Sequence, residues 1–339
     1  MTEFFAEYGL FLLKVATVVV AIVVVIGVVA ATGRKAAHEG LEVESINKKF
    51  KSQADALRQA VMPKSEHKKE RKAEKKRDKA SAKEAASRPR SFVLDFKGDL
   101  KASAVPSLRE EVSAILDVAT ADDDVIVRLE NHGGVVHEHG LAASQLARIR
   151  DAGISLTVCI DKVAASGGYL MACVASKIYA APFAILGSIG VLAQIPNFNR
   201  LLDSHGVDFE QVTAGKYKRT VTMFGQNTDA DRAKLKEELE DVHALFKSAV
   251  SRYRPTLDLE KVATGEHWYG SHALELGLTD EIRTSDEVIA GLIGKRDLYQ
   301  VAYRVKQPFP KRLMANIDSA VEKLDATGWR QSFESRLPR

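Results

Sequence analysis

No residue between Val15 and Gly33 carries a charge. At about 1.5 Å of rise per residue, this run extends roughly 28 Å as a helix, close to the hydrocarbon thickness of a bilayer. Leu10 to Leu13 lengthen the run past Lys14, whose stem can reach the interface from near the helix end. A cleaved secretory signal needs a basic n-region and a shorter apolar core, whereas this N-terminus offers Glu3 and Glu7. The pattern therefore predicts an uncleaved, single-pass transmembrane anchor over residues 1–33. Arg34, Lys35, Lys48, Lys49 and Lys51 follow it closely, so the positive-inside rule places the C-terminal body in the cytoplasm. The periplasm is the alternative, because long C-terminal domains cross regardless of charge.

The formal charge of +4 conceals opposed blocks: residues 64–90 carry +7 and residues 91–339 carry −4. The basic excess thus belongs to a short segment and not to the folded body, which excludes a nucleic-acid-binding surface there. The basic segment has no aromatic residue for base stacking, so no nucleic-acid partner is expected of it either. Glu66, Glu70, Glu74 and Asp78 recur every four residues among its Lys and Arg, a spacing that suits i,i+4 ion pairs on a solvated helix. Two roles fit equally, attraction to the anionic headgroups of a lipid bilayer and a soluble spacer. Ahead of it, Ile46, Phe50, Leu57 and Val61 fall at helical intervals, so residues 34–90 read as an amphipathic and charged juxtamembrane spacer.

After Pro89 the pattern changes. Ser91 to Phe96, Val125 to Leu129 and Ile154 to Ile160 are short β-branched apolar runs, separated by helix-like stretches at Pro106 to Ala119 and Leu141 to Arg150. Such alternation predicts parallel βα units with helices covering the sheet. Lys177 to Ala181, Ile185 to Ala193 and Phe209 to Thr213 also read as strands. Thr228 to Arg252 is the clearest helix, capped by Thr228 and Asp231, with Leu235, Leu239, Val242, Phe246 and Val250 on one face. A further helix within His267 to Ile282 stops at Gly277. Cys159 and Cys173 cannot form a disulfide framework in 339 residues; they read as buried thiols, with one bridge as the alternative.

Ser166 follows a buried-type strand and precedes Gly167 and Gly168 at a helix entry, where amides and the dipole favour negative charge. Taken alone, the segment is better explained by an ordinary N-cap serine with a tight glycine turn. Gly133 and Gly134 follow another strand and allow close backbone approach or oxyanion contact. His132, His137 and His139 cluster there, but their spacing fits no usual metal pattern, and a polar loop is expected instead. A base for Ser166 could be His132 or a body lysine, of which Lys216 and Lys218 follow a strand and a glycine.

Several segments together resemble the signal peptide peptidase A family, especially its shorter membrane-bound members. They are Val163 to Tyr169, Ala181 to Ala193, Ile195 to Arg200, Ala214 to Thr220 and Ala263 to Asp280, and the likeness spans essentially the whole chain. The resemblance implies a ClpP/crotonase-like α/β fold with a parallel sheet, carrying a Ser/Lys dyad that hydrolyses peptide bonds without a cofactor or metal. The family nucleophile falls on Ser166, the base on Lys218 with Lys216 less favoured, and the serine that holds the lysine neutral on Ser188. Gly134 would meet the oxyanion or substrate backbone, with Gly133 and Gly167 as alternatives. The family pattern Ser-Pro-Gly-Gly is here Asn131-His132-Gly133-Gly134, a departure in the oxyanion loop rather than the dyad. The peptidase domain is expected over 91–300, followed by a C-terminal helical tail over 301–339. The resemblance further implies a bacterial inner-membrane location, substrates among signal-peptide remnants or membrane-associated proteins, and a homo-oligomer with shared active sites. Two alternatives are a crotonase-like acyl-CoA enzyme and a catalytically silent membrane scaffold of the same fold.

Overall fold

The computed structural model describes residues 2–32, 39–81 and 88–305. Its contacts divide the chain into two units, one of residues 1–40 with 304–339 and the other Leu41–Tyr303. The first contains α1 (Thr2–Thr32), a helix of 31 residues on which Leu10, Phe11, Leu13, Val18, Val20 and Ile22 are all exposed. Among the described residues no helix is long and apolar enough to cross a membrane. The expected span runs past position 22, the last in this helix whose surroundings are described.

The second unit begins with β1 (Gly40–Ser45), α2 (Ile46–Val61) and α3 (Lys64–Ser81). The Ser45 hydroxyl caps α2 by accepting from the Lys48 N–H, and the chain turns at Pro63. Two carboxylates of α3, Glu70 and Glu74, reach across this turn to α2. Glu70 pairs with Arg58 at 3.7 Å, Glu74 with Lys51 at 3.3 Å, and His67 meets Asp55 at 2.9 Å. An adjacent antiparallel helix supplies opposite charge that the i,i+4 pattern alone does not reveal. The segment read as spacer also reaches into the body. Ile46 is buried with Val93, Ile126, Val288 and Leu298, and the Asn47 side chain bridges the Arg296 carbonyl and the Leu298 N–H.

The chain continues through β2 (Arg90–Gly98), α4 (Val105–Val118), β3 (Asp124–Asn131), α5 (Val136–Asp151), β4 (Ser155–Ile160), β5 (Val163–Ala165), α6 (Gly167–Ala172), β6 (Lys177–Ala180) and β7 (Ile185–Gly187). Then come α7 (Asn199–Ser204), α8 (Asp229–Tyr253), α9 (Leu259–Val262), β8 (His267–Tyr269), α10 (Gly270–Glu275), β9 (Glu281–Ile282), α11 (Ser285–Leu292) and β10 (Asp297–Arg304). The sheet has ten strands in the order β1-β10-β2-β3-β4-β6-β9, with β5, β7 and β8 branching from the end of β3. Every pairing from β10 through β9 is parallel, and β7 with β8 is antiparallel. β2 to β4 bury one face, with Phe92, Leu94, Phe96, Val125, Val127, Leu129, Leu156, Val158 and Ile160, in the main core with α4, α5 and α6; on the other face Val93, Ile126 and Cys159 pack with Ile46, Val288 and Ile289, and farther along Asp95 pairs with Arg128 at the surface.

Most expected elements form where the hydrophobic period placed them, and two do not. The run Ile185 to Ala193 is a strand only to Gly187, and Phe209 to Thr213 has no regular structure. Phe209 instead joins Phe224 and Phe198 in a ring cluster with centroids 5.7 and 6.0 Å apart, so its apolar character serves side-chain packing rather than a sheet. β10 takes up residues 297–304; the remainder of the expected helical tail lies outside the described residues from 306 onward.

Candidate active site

Register brings three loops together at the carboxyl ends of parallel strands, the usual place for a site in such sheets. Asn131 lies opposite Ala164, and Ala165 opposite Gly187. The chain therefore leaves β3, β5 and β7 side by side, at the Asn131 loop, at Ser166 and at Ser188. Both serines adopt left-handed backbone, with φ of +53° and +52°. Holding a non-glycine residue there costs about 1–3 kcal/mol, which the surroundings must supply. The Ser166 N–H donates to the Gly187 carbonyl at 2.8 Å and the Ser188 N–H to the Glu266 carbonyl at 2.6 Å, locking both turns.

The Gly133 loop is pressed against the serine. A Cβ on Gly133 would lie 2.7 Å from the Ala165 carbonyl oxygen and 2.8 Å from the Ser166 Cβ, so only glycine fits. Behind it Asn131 is fully buried and acts as a clamp: its Oδ1 accepts from the Gly133 N–H at 2.8 Å and lies 3.2 Å from the His139 Nε2. Its amide nitrogen points to the Met171 sulfur at 3.3 Å. The His139 ring occupies the space beside Gly167, where a Cβ would approach it to 2.5 Å. The departure from the family pattern thus has a physical role at its first position, where Asn131 stands in place of the serine and supplies the side-chain clamp, while exposed His132 stands in place of the proline. Because its N–H is already engaged, Gly133 is removed from the amides free to meet an oxyanion. Of the neighbouring histidines, His132 and His137 are exposed, and no group of three metal-binding side chains occurs among the described residues.

Ser166 opens into two cavities. The smaller, about 190 Å³, is apolar and lined by Leu170, Val191, Val242, Leu245, Phe246 and Ala249 beside the serine. The larger, about 850 Å³, joins Ser166 to Ser188, Gly133, Gly134, His132 and His243. Neither is lined by Lys216 or Lys218. Lys218 sits in an exposed turn closed by its N–H on the Gly215 carbonyl, and Lys216 lies over the Tyr217 ring at 5.0 Å. The structure therefore unites Ser166, Ser188 and the glycine loop and leaves both lysines apart from them. His243 went unnoticed in the sequence reading; the available signal was a lone histidine next to Val242 in the apolar stripe of α8.

α8 walls both cavities, and its far end is fastened to the sheet. Arg254 donates to both Asp280 oxygens at 2.9 and 2.8 Å and to the Gly277 carbonyl at 2.8 Å. Asp280 also accepts the Ile178 N–H at 2.7 Å. Burial raises the Asp280 pKa, but the Arg254 hydrogen bonds, the Ile178 N–H and the Arg254 charge outweigh it and hold the carboxyl below its ordinary value. Cys159 and Cys173 are free and buried, their thiols pushed up to about 12 chiefly by desolvation, so neither is a competing nucleophile.

The family model Peptidase family S49 N-terminal matches residues 3–146, and Peptidase family S49 matches residues 148–298. The chain is 46% identical over 326 residues to "Probable protease SohB" of Haemophilus influenzae, covering 92% of each chain. It is 54% identical over 230 residues to the protein of the same name in Buchnera aphidicola subsp. Acyrthosiphon pisum, covering 68% of each. A solved structure titled as the 1510-N membrane-bound stomatin-specific protease in complex with a substrate peptide is 12% identical, with a TM-score of 0.41 over 68% of this chain and 98% of that one. On the two family matches and the full-length likeness to the Haemophilus protein, this chain belongs to peptidase family S49.

Proposed function

We propose that this member of the peptidase family is a membrane-anchored serine endopeptidase in which Ser166 is the nucleophile and Lys218 the general base. The observation that carries the reading is Ser166 itself, held at φ +53° on a sharp turn, against Gly133 and at the mouth of an apolar cavity. Lys218 takes the hydroxyl proton as Ser166 attacks the peptide carbonyl; the amine leaves with that proton; the lysine then deprotonates the water that releases the acyl group. The amide of Gly134, with Gly167 as the alternative, meets the oxyanion. Ser188, in register beside Ser166, hydrogen-bonds the lysine and favours its neutral form. The apolar lining suits extended apolar segments such as signal-peptide remnants or membrane-associated proteins.

A lysine serves as base only when its pKa falls from about 10.4 towards neutrality, a shift worth roughly 4 kcal/mol of desolvation. In the single chain Lys218 is exposed, and so are Leu192, Val207, Val212 and Met223 of the same 189–249 segment. A second copy covering this apolar surface would supply the missing burial, and a homo-oligomer with shared active sites follows from that need. The uncharged run from Val15 to Gly33 within and just after α1 spans the bilayer, with the body on the cytoplasmic side.

Labelling with a serine-reactive fluorophosphonate tests the dyad. The wild type labels at Ser166, and Ser166→Ala and Lys218→Ala do not. Equal labelling of all three overturns the assignment, and absence of labelling in the wild type would point to the silent-scaffold or acyl-CoA alternatives. Cysteine accessibility in the 64–90 segment of intact cells tests the topology, since labelling from the periplasm reverses the proposed side.

A further inference from the structure

Charge on α3 is sorted by face. His67, Glu70 and Glu74 fall on one side of the helix and meet α2 there, at Asp55, Arg58 and Lys51. At about 100° per residue, Lys68, Lys69, Lys72 and Lys76 share an arc of about 100° on the opposite side, with Ser65 in its middle. All five are exposed, and among the described residues none of the four lysines meets a carboxylate. Glu66, the remaining α3 carboxylate whose surroundings are described, stands in the first turn just outside that arc, where the helix dipole favours it. Lysines spaced i,i+4, as Lys68, Lys72 and Lys76 are, repel one another and weaken an isolated helix. The pairing with α2 thus turns outward a like-charged row that the carboxylates of the hairpin do not neutralise.

We infer that this row is a docking surface for a bilayer containing anionic phospholipid, whose headgroups supply the missing counter-charge. A soluble spacer and a headgroup-binding segment share one composition, and the tertiary pairing separates them. A spacer with its carboxylates interleaved among its lysines is near neutral on every side, whereas here the carboxylates face α2 and the ammonium groups face solvent. Lysine suits a lipid surface, because a point charge on a flexible stem needs no fixed geometry to meet a layer of phosphates. The row offers no aromatic ring to a nucleic-acid base and no guanidinium fork to a phosphopeptide. Chain order favours the same partner: the row follows the uncharged run from Val15 to Gly33, so a chain anchored by that run keeps these lysines at high effective concentration beside the headgroups. The inference is independent of the peptidase chemistry and rests on the membrane reading only for that tether.

The test uses the full-length protein carrying Ser65→Cys with an environment-sensitive dye on the new thiol. Cys159 and Cys173 are buried, so the dye reports position 65 alone. The protein is mixed with vesicles of phosphatidylcholine, either pure or with about 30% phosphatidylglycerol. The expected result is blue-shifted emission and protection from iodide in the anionic vesicles only, reversed by about 0.5 M salt. Lys72→Gln lowers the bound-to-free ratio about fivefold, and Lys68→Gln, Lys69→Gln, Lys72→Gln and Lys76→Gln combined return the dye to its state in neutral vesicles. Glutamine keeps the helix; if circular dichroism shows helix lost in the combined variant, the single variant decides. Equal dye signals in both lipids overturn the inference, and so does a shift that survives salt or the combined variant. An equal shift with an oligonucleotide in place of vesicles overturns the membrane as partner. Flotation keeps the two readings apart. Protein that fails to float with neutral vesicles overturns the anchor, and the row is then decided on anionic vesicles, where the wild type floats and the combined variant sinks. A wild type that sinks there as well overturns both.

Discussion

The two halves of the proposed site are built in opposite ways. Around the nucleophile, β3, β5, α6 and β7 are buried almost throughout, and the backbone of Ser166 is wedged between the Gly133 loop and the Gly187 carbonyl. Around the lysine the reverse holds, for no residue between Ile189 and Val250 is buried in the single chain. The arm bearing Lys218 is held by its own small ring cluster of Phe198, Phe209 and Phe224 and by the Asn197 amide on the Thr222 and Gly225 carbonyls. The contrast teaches that the core of the single chain positions Ser166, while Lys218, as the proposed base, would have to draw its low-dielectric surroundings from elsewhere.

The largest expected effects test whether both halves are needed. Ser166→Ala and Lys218→Ala should each lower kcat/KM by about 10³-fold or more, while Lys216→Ala changes it less than about threefold. A Lys216→Ala loss equal to that of Lys218→Ala would break the proposed lysine assignment. Next, Gly133→Ala should cost about 10²-fold or more in kcat, because its methyl group would strike the Ala165 carbonyl and Ser166. Retained activity would show that the nucleophile half is looser than its packing indicates. Asn131→Ala should follow with about a tenfold fall in kcat, since the Gly133 amide loses its acceptor and the loop its clamp. Rescue by Asn131→Asp, which keeps the oxygen, would separate the clamp from mere bulk.

A smaller effect concerns the fastening of α8. Asp280→Asn should destabilise the fold by about 2 kcal/mol at neutral pH, measured by thermal or urea unfolding. Because the folded pKa of Asp280 lies below its unfolded value, this contribution is full above about pH 4 and is lost as the pH falls through the folded value. The stability difference between wild type and variant should therefore close on acidification; a constant difference would show that the charge of Asp280 is irrelevant. The smallest effect is expected at Cys159 and Cys173, which should resist thiol reagents until the protein unfolds.

Much of the fold was legible because hydrophobic period and capping act locally. The pair Thr228 and Asp231 forms the expected capping box, with the Thr228 hydroxyl accepting the Asp231 N–H, and α8 starts one residue later. The strand runs from Ser91, Val125 and Ile154 were readable because most of their residues are apolar and buried, with Asp95 and Arg128 as the charged interruptions. The strand expected at Phe209 to Thr213 failed because an aromatic cluster and a strand draw on the same residue types. The cross-helix ion pairs of α2 with α3 were invisible because sequence spacing carries no information about a neighbouring element.

The amino-acid order alone determined the uncharged N-terminal run, the basic segment of +7 ahead of a body of −4, the alternation of strands and helices, and the family likeness that singles out Ser166 and Lys218. Only the tertiary structure decided that Ser166 and Ser188 end neighbouring strands, that Asn131 clamps the glycine loop, that His243 lines the larger cavity, and that Lys218 is exposed in one chain. The physical reason is the range of the forces concerned. Periodicity, caps and bilayer-length runs are set by neighbours in sequence, whereas register, burial and the completion of a polar atom depend on residues brought together from distant parts of the chain.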